Sequence, residues 1–295
     1  MNIGIDLGAT KIKTVVLEKD GSELQRNRVD SPKNYQKTLD VITDIVNNIE
    51  KKFKKELDVG VCHPGSSNID TGLIQNAFNS PWLNNKNFVN DISKNLNRKI
   101  FCENDANCFA LSEAYDGTAK NCKTVFGIIL GSGCGGGLII NKKILAGPNA
   151  FTGEWGHIPL GKPDSKNNIE EYISGKGLER QFYTKYGKNL TAKQIFENAR
   201  SKSTNEIEFI NEFKSNLGRC LSLIINVIDP DAIVFGGGLS NEIESLEQIK
   251  EITEKYLSNF NNIETVNLKT SFLKPKYGDA SGVRGAARLG RRATY

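Results

Sequence analysis

The segment Glu103-Asn104-Asp105-Ala106-Asn107 places two carboxylates and two amides within five residues. An apolar, strand-like run, Lys99-Ile100-Phe101-Cys102, leads into it, and a helical-looking run from Cys108 to Tyr115 leads away. Strand-to-helix junctions are where α/β proteins gather ligands. In that setting Asp105 can take a proton from a bound hydroxyl while the neighbouring amides hold the ligand. The competing structural reading is a helix N-cap, which suits Asn and Asp equally. Taken alone the segment favours the cap, and the rest of the chain tips the balance to chemistry.

Three glycine turns follow apolar strand-like runs: Gly8-Ala9-Thr10-Lys11, Gly131 to Gly137, and Gly236-Gly237-Gly238. Glycine lets backbone approach a ligand and aim several N–H groups at an anion. One such turn can simply connect strands; three point to a phosphate clamp. Two other phosphate motifs are excluded. Gly131-x-Gly133-x-x-Gly136 fits the dinucleotide fingerprint by spacing, but it opens a β-like Leu138-Ile139-Ile140 run where that motif needs a helix. Gly175-Lys176 lacks the upstream glycine of a P-loop.

The elements that must position these residues alternate between strand and helix, the pattern of an α/β fold. Strands are expected at Ile3–Leu7, Ile12–Glu18, Leu57–Cys62 and Ala232–Phe235, with another near Val266–Phe272. Apolar spacing predicts helices over Tyr35–Lys54, Leu178–Tyr186, Ala192–Ala199, Ile207–Ile228 and Ile243–Leu257, and a last one from about Ser281. Gly127-Ile128-Ile129-Leu130-Gly131 repeats the form of Gly4-Ile5-Asp6-Leu7-Gly8, and each is followed by a second strand, a tight turn and a third. This is an internal duplication. Two similar halves with a cleft between them are expected, and ligands favour such interfaces.

Composition narrows the class. At 295 residues, 38% hydrophobic and 25% charged, the chain fits an ordinary globular protein of one large or two medium domains. No apolar run is long enough to span a membrane and no signal-peptide pattern opens the sequence, so a cytoplasmic location is expected. The net charge of +5 is spread as solvated lysines, apart from a basic end at Arg284, Arg288, Arg291 and Arg292, so nucleic acid is not an expected partner. The six cysteines form no C-x-x-C pair and are expected as reduced thiols.

Five motifs in order then carry a resemblance: Asp6-Leu7-Gly8-Ala9-Thr10-Lys11, Glu103 to Asn107, Leu130 to Gly137, Gly153-Glu154-Trp155-Gly156-His157, and Asp229 to Gly238. Together they resemble the ROK sugar kinases of the hexokinase/actin-like ATPase superfamily, over Ile3 to Leu289. The family also holds sugar-responsive repressors with an N-terminal DNA-binding domain. This sequence opens on the first phosphate turn, so the kinase branch is expected. Asn79-Ser80-Pro81-Trp82-Leu83-Asn84 and Gly278 to Ala287 look most like the fructokinase branch, and Cys108 to Ala114 like the N-acetylglucosamine kinases.

The resemblance implies two actin-like (ribonuclease H-like) domains: a smaller one over 1–116 with a C-terminal helix at about 282–295, and a larger one over 117–281. It implies transfer from ATP to a sugar 6-hydroxyl, fructose first, with N-acetylglucosamine or glucose as alternatives and a non-enzymatic sugar sensor as the other class. Asp105 is then the general base. Gly65, Asn79, Asn104, Glu154, His157 and Glu170 join it in holding the sugar. Gly8, Thr10 and Lys11 with Gly131, Ser132 and Gly133 wrap the phosphates, and Gly236 and Gly237 lie against the adenosine. Mg²⁺ bridges the phosphates near Asp6 and Asp105, and a homodimer is implied. Plainer structural readings compete at Glu170 (a solvated helix start), His157 (a packed support), Asn79 (a turn) and Asp6 (a strand-end carboxylate). Two departures stand out. Ala9 replaces the usual second glycine. Gly161, Pro163 and Asn168 occupy the three positions where many members carry zinc-binding cysteines, so no structural zinc is expected. His63, before Pro64-Gly65, is also not the usual residue and bears on the sugar pocket.

Overall fold

The computed structural model describes residues 1–68, 70–161 and 167–289. Pro163, Arg291, Arg292 and the end of the expected C-terminal helix lie outside the described residues. The chain divides into two compact units. The first holds Met1–Asn121, Gly137–Thr152 and the chain from Lys276 on; the second holds Cys122–Gly136 and Gly153–Pro275. The larger unit expected over 117–281 is therefore interrupted, because 137–152 groups with the first unit.

The N-terminal stretch runs β1 (Asn2–Leu7), β2 (Lys11–Leu17), β3 (Glu23–Asp30), α1 (Tyr35–Phe53), β4 (Asp58–His63), β5 (Ser66–Ser67), β6 (Ile74–Gln75), α2 (Phe88–Asn95), β7 (Phe101–Asn104) and α3 (Asp105–Tyr115). It continues through β8 (Thr124–Leu130), β9 (Cys134–Ile140), β10 (Lys143–Ile144), α4 (Ile169–Ile173), α5 (Gly175–Tyr186), α6 (Ala192–Arg200) and α7 (Thr204–Ile228). The last elements are β11 (Ala232–Gly236), α8 (Leu246–Asn261), β12 (Ser271–Leu273) and α9 (Ser281–Arg288). Two five-stranded sheets have the orders β3-β2-β1-β4-β7 and β10-β9-β8-β11-β12, and β5 and β6 form a separate hairpin.

The first sheet is built around β1. It pairs antiparallel with β2, Asp6 opposite Lys13, and parallel with β4, Asp6 opposite Cys62. Ile3, Ile5, Val59 and Val61 are fully buried against Leu39, Ile42 and Val46 of α1. Burying each such side chain is worth about 1.5–3 kcal/mol, which is why the alternating strands and the 3.6-periodic helix find each other. Asn34 starts α1 by accepting from the Lys37 N–H at 3.0 Å, and Lys54 ends it in a left-handed conformation.

α3 differs from a surface helix: every residue from Ala106 to Ala114 is buried. The one buried charge, Glu113, accepts from the N–H groups of Thr118 and Lys276 (3.0 Å each) and from the Ser281 hydroxyl (2.7 Å). A buried carboxylate without such donors would be strongly destabilising. These contacts seat the start of α9 against the C-terminal part of α3, the helix that Asp105 begins. In the second unit, α7 buries Phe209, Phe213, Leu217 and Leu221 along one face and stops at Asp229, in a left-handed conformation before Pro230.

Candidate active site

In the first unit three strand ends carry the sequence-predicted residues. At the end of β1, Asp6 is half-buried; its Oδ2 lies 3.7 Å from the Lys13 ammonium and its Oδ1 accepts from the Cys62 thiol at 3.6 Å. Burial pushes the Asp6 carboxyl above its usual range, and Lys13 opposes that rise. The turn after it closes through Gly8 N–H to Lys11 O at 3.0 Å. Thr10 is exposed, and Lys11 pairs with Asp30 at the surface. At the end of β4, Gly65 has φ +78°, and a Cβ there would meet the Gln75 carbonyl at 2.3 Å, so only glycine fits.

At the end of β7, Asn104 is the N-cap of α3: its Oδ1 accepts from the Asn107 N–H at 2.7 Å. The cap is therefore Asn104, and Asp105 is the first helical residue, exposed, with Oδ1 2.9 Å from the Ala106 N–H. Asn104, Glu103 and Asn107 line a cavity of about 290 Å³ with Ser66, Ser67 and Leu145. Asn79 does not line it; it is exposed in the turn 76–80.

In the second unit, the turn after β8 is Gly131 to Gly133, closed by Gly131 N–H to Gly133 O at 3.0 Å. The glycines beyond it belong to β9, so the turn is shorter than the run Gly131–Gly137 suggests. Its carbonyls receive the first amides of α5, Gly175 to Gly131 at 2.7 Å and Lys176 to Ser132 at 3.1 Å. Gly131 and Ser132 line a cavity of about 350 Å³ with Lys176, Thr191, Lys193 and Gly238. Gly236 ends β11 opposite Ile129, and Gly237, at φ +88°, leaves a hypothetical Cβ 2.2 Å from the Leu130 carbonyl. It is Gly238, one or two positions beyond the pair expected from the sequence, that lines the cavity.

Glu154 and His157 come together, with Oε2 3.4 Å from Nδ1 across a short 3₁₀ turn, and His157 is well exposed. Glu170 lies in the first turn of α4, and its Oε2 accepts from the Cys134 N–H at 2.8 Å. That bond ties it to the glycine turn, and Gly133 leaves the room, since a Cβ there would meet the same oxygen at 2.9 Å.

Of the positions where cysteines would be needed for zinc, Gly161 and Asn168 are described and Pro163 is not. Asn168 is spent as the cap of α4, accepting from the Glu171 N–H at 3.1 Å. The base of that loop is closed by backbone bonds, Leu160 N–H to Asn167 O at 3.1 Å and Ile169 N–H to Ile158 O at 2.9 Å. Among the described residues no group of three His, Cys, Asp or Glu side chains could hold a metal. For Mg²⁺ alone, Asp6 is a suitable hard oxygen donor, with the 3.7 Å ammonium of Lys13 its paired cation.

Several lining residues lay beyond sequence reasoning. Lys176, Thr191 and Lys193 reach one cavity from α5 and from the start of α6, and Ser67 and Leu145 reach the other from segments far apart in the chain. Lys13, which pairs with Asp6 and lines neither cavity, has a local signal, the alternation of β2 after Lys11.

A two-sheet α/β fold with duplicated glycine turns defines a class of protein, and comparison with known proteins identifies it. Residues 2–293 match the model of the ROK family, and the chain belongs to that family. It is 34% identical to the N-acetyl-D-glucosamine kinase of Histophilus somni, over 98% of each chain. It is 35% identical to that of Mannheimia succiniciproducens, over 98% of this chain and 99% of that one. In structure it is similar to the ROK hexokinase from Thermus thermophilus, with a TM-score of 0.85 and 22% identity, covering 97% and 96% of the two chains. It is also similar to a ROK family glucokinase from Streptomyces griseus in complex with glucose and AMPPNP, with a TM-score of 0.76 and 26% identity over 98% and 99%. The fold is the actin-like ATPase fold of this family, with its two sheets in mixed α/β domains.

Proposed function

We propose that this protein is an ATP-dependent kinase that phosphorylates the 6-hydroxyl of N-acetylglucosamine. The observation that carries the kinase reading is the start of α3: Asn104 is the cap, Asp105 follows as the first, exposed helical residue, and its neighbours Glu103, Asn104 and Asn107 line a polar cavity. The full-length match to N-acetyl-D-glucosamine kinases favours that sugar over the fructose expected from the Asn79–Asn84 motif. No described helix is long and apolar enough to cross a membrane, which fits a small-molecule enzyme.

In this reading Asp105 accepts the proton of the attacking hydroxyl, and Asn104, Glu154, His157 and Glu170 bind the remaining hydroxyls. The turns at 8–11 and 131–133 hold the phosphates, and the 350 Å³ cavity takes the adenosine, with Gly238 in the place first given to Gly236 and Gly237. Bound ATP with Mg²⁺, the ion held near Asp6 and Asp105, supplies the phosphoryl group and neutralises its charge. The backbone bonds at the base of the 158–169 loop do the bracing that zinc does in other members.

A coupled assay of ADP formation tests this, with N-acetylglucosamine, glucose, mannose and fructose compared. The expected result is the highest kcat/KM for N-acetylglucosamine. Higher kcat/KM for fructose would restore the fructokinase reading, and sugar binding without ADP formation would make the protein a sensor.

A further inference from the structure

His63 is a buried histidine, 1% exposed, at the end of β4 in the first unit. Its ring packs edge-on against Phe88, centroids 6.3 Å apart. Its Nδ1 lies 3.2 Å from the Pro64 carbonyl, and its Nε2 lies 3.4 Å from the Ser67 hydroxyl. A carbonyl oxygen can only accept, so the ring proton is on Nδ1. Burial lowers the imidazole pKa and keeps the ring neutral at pH 7. Nε2 is then an acceptor, and the Ser67 hydroxyl must donate to it.

The consequence falls on the cavity. Ser67 lines it, half-buried. With its proton committed to His63, Ser67 Oγ presents lone pairs and accepts from whatever ligand group faces it. A 2-acetamido group has one N–H, which is donor-only, and a methyl that seeks apolar surface. The same cavity has small or apolar lining at Leu145, Ala146 and Ala150.

We propose that this cavity is the acetamido subsite: Ser67, oriented by His63, accepts the substrate N–H, and Leu145, Ala146 and Ala150 receive the methyl. His63 is thus a positioning residue for sugar specificity. The inference rests on the N-acetylglucosamine reading above and adds the residues that enforce it. Glucose offers only a shorter, freely rotating 2-hydroxyl in place of the fixed N–H and leaves the apolar lining unfilled, so the subsite favours the acetamido sugar.

The test is steady-state kinetics of the intact protein with N-acetylglucosamine and with glucose. Ser67→Ala is expected to raise the KM for N-acetylglucosamine about tenfold, the effect of one lost hydrogen bond, with kcat little changed and glucose affected less. His63→Phe should reproduce that split, the double variant should be no worse than Ser67→Ala, and Ser67→Thr should restore the KM. Ala146→Leu, which fills the methyl site without touching His63, should also weaken N-acetylglucosamine more than glucose, and it decides the matter if His63→Phe does not fold. Equal losses on both sugars, or additive single effects, would overturn the inference while leaving the kinase reading intact. A wild-type protein that ignores N-acetylglucosamine would overturn both.

Discussion

The two five-stranded sheets share one plan and differ in what their strand ends carry. Each has a central strand, β1 or β8, flanked by an antiparallel pair on one side and two parallel strands on the other. Each central strand ends in a glycine turn closed by a backbone bond. The position of Asp6 in β1 is Ile129 in β8, by the repeat of Gly4–Gly8 in Gly127–Gly131. Their parallel partners are Cys62 and Gly236, so His63 corresponds to Gly237. β7 delivers Asn104 and Asp105, whereas its counterpart β12 ends at Leu273. Duplication supplied the turns twice. Asp6 and Asp105 stand at strand ends of the first sheet, and open glycine backbone beside a cavity stands at those of the second, the division on which the proposed roles in proton transfer and nucleotide binding rest.

The sharpest way to break this division is Asp105→Asn. It should lower kcat by about 10²–10⁴-fold, the range for removal of a general base, with circular dichroism and thermal unfolding unchanged. Near-normal turnover in the folded variant would move the chemistry out of the first sheet. Asp6→Asn should come next, with about 10–100-fold weaker apparent affinity for Mg²⁺. It should also raise the unfolding temperature. The Asp6 pKa is raised by burial, so the ionised form at neutral pH is disfavoured in the folded state, and the neutral amide removes that cost. Gain of activity at lower Mg²⁺ would sink the assignment.

Much of this architecture is legible in the sequence because it is periodic. The apolar faces of α1 and α7 and the repeated Gly4–Gly8 pattern are local signals, and each corresponds to an element of the fold. The polar β3, Glu23–Asp30, carries no such signal and forms through its register with β2. The short α4 depends on the Asn168 cap and on closure of the 158–169 loop, a contact between segments. The same holds at the cavities. Gly238, Lys176 and Lys193 converge only after folding, so glycine counting pointed to Gly236 and Gly237. Asp105 was legible as a candidate from its junction, but whether it or Asn104 caps α3 depends on which side chain takes the Asn107 N–H, and only geometry settles that.

The equivalent positions His63 and Gly237 permit a finer comparison. Gly237→Ala should cost about 1–3 kcal/mol of stability, since the side chain meets a left-handed φ of +88° and a carbonyl at 2.2 Å. By shifting the adjacent Gly238, which lines the cavity, it should also raise the KM for ATP more than that for sugar; an unchanged ATP KM would detach this turn from nucleotide binding.

On stability, as distinct from sugar KM, His63→Phe should give the smallest effect, visible only with pH. The folded-state pKa of His63 lies below its ordinary value because burial outweighs the Pro64 carbonyl and the Glu103 charge, both of which favour the proton. Unfolded chains therefore bind the proton first as pH falls. The stability His63 confers by staying neutral is complete above about pH 6.5 and declines below it. Between pH 7 and pH 5 the wild-type unfolding temperature should fall more steeply than that of His63→Phe. Parallel curves would mean that the buried ring does not stay neutral, and the Ser67 hydroxyl would then lose the fixed orientation that distinguishes the end of β4 from the glycine end of β11.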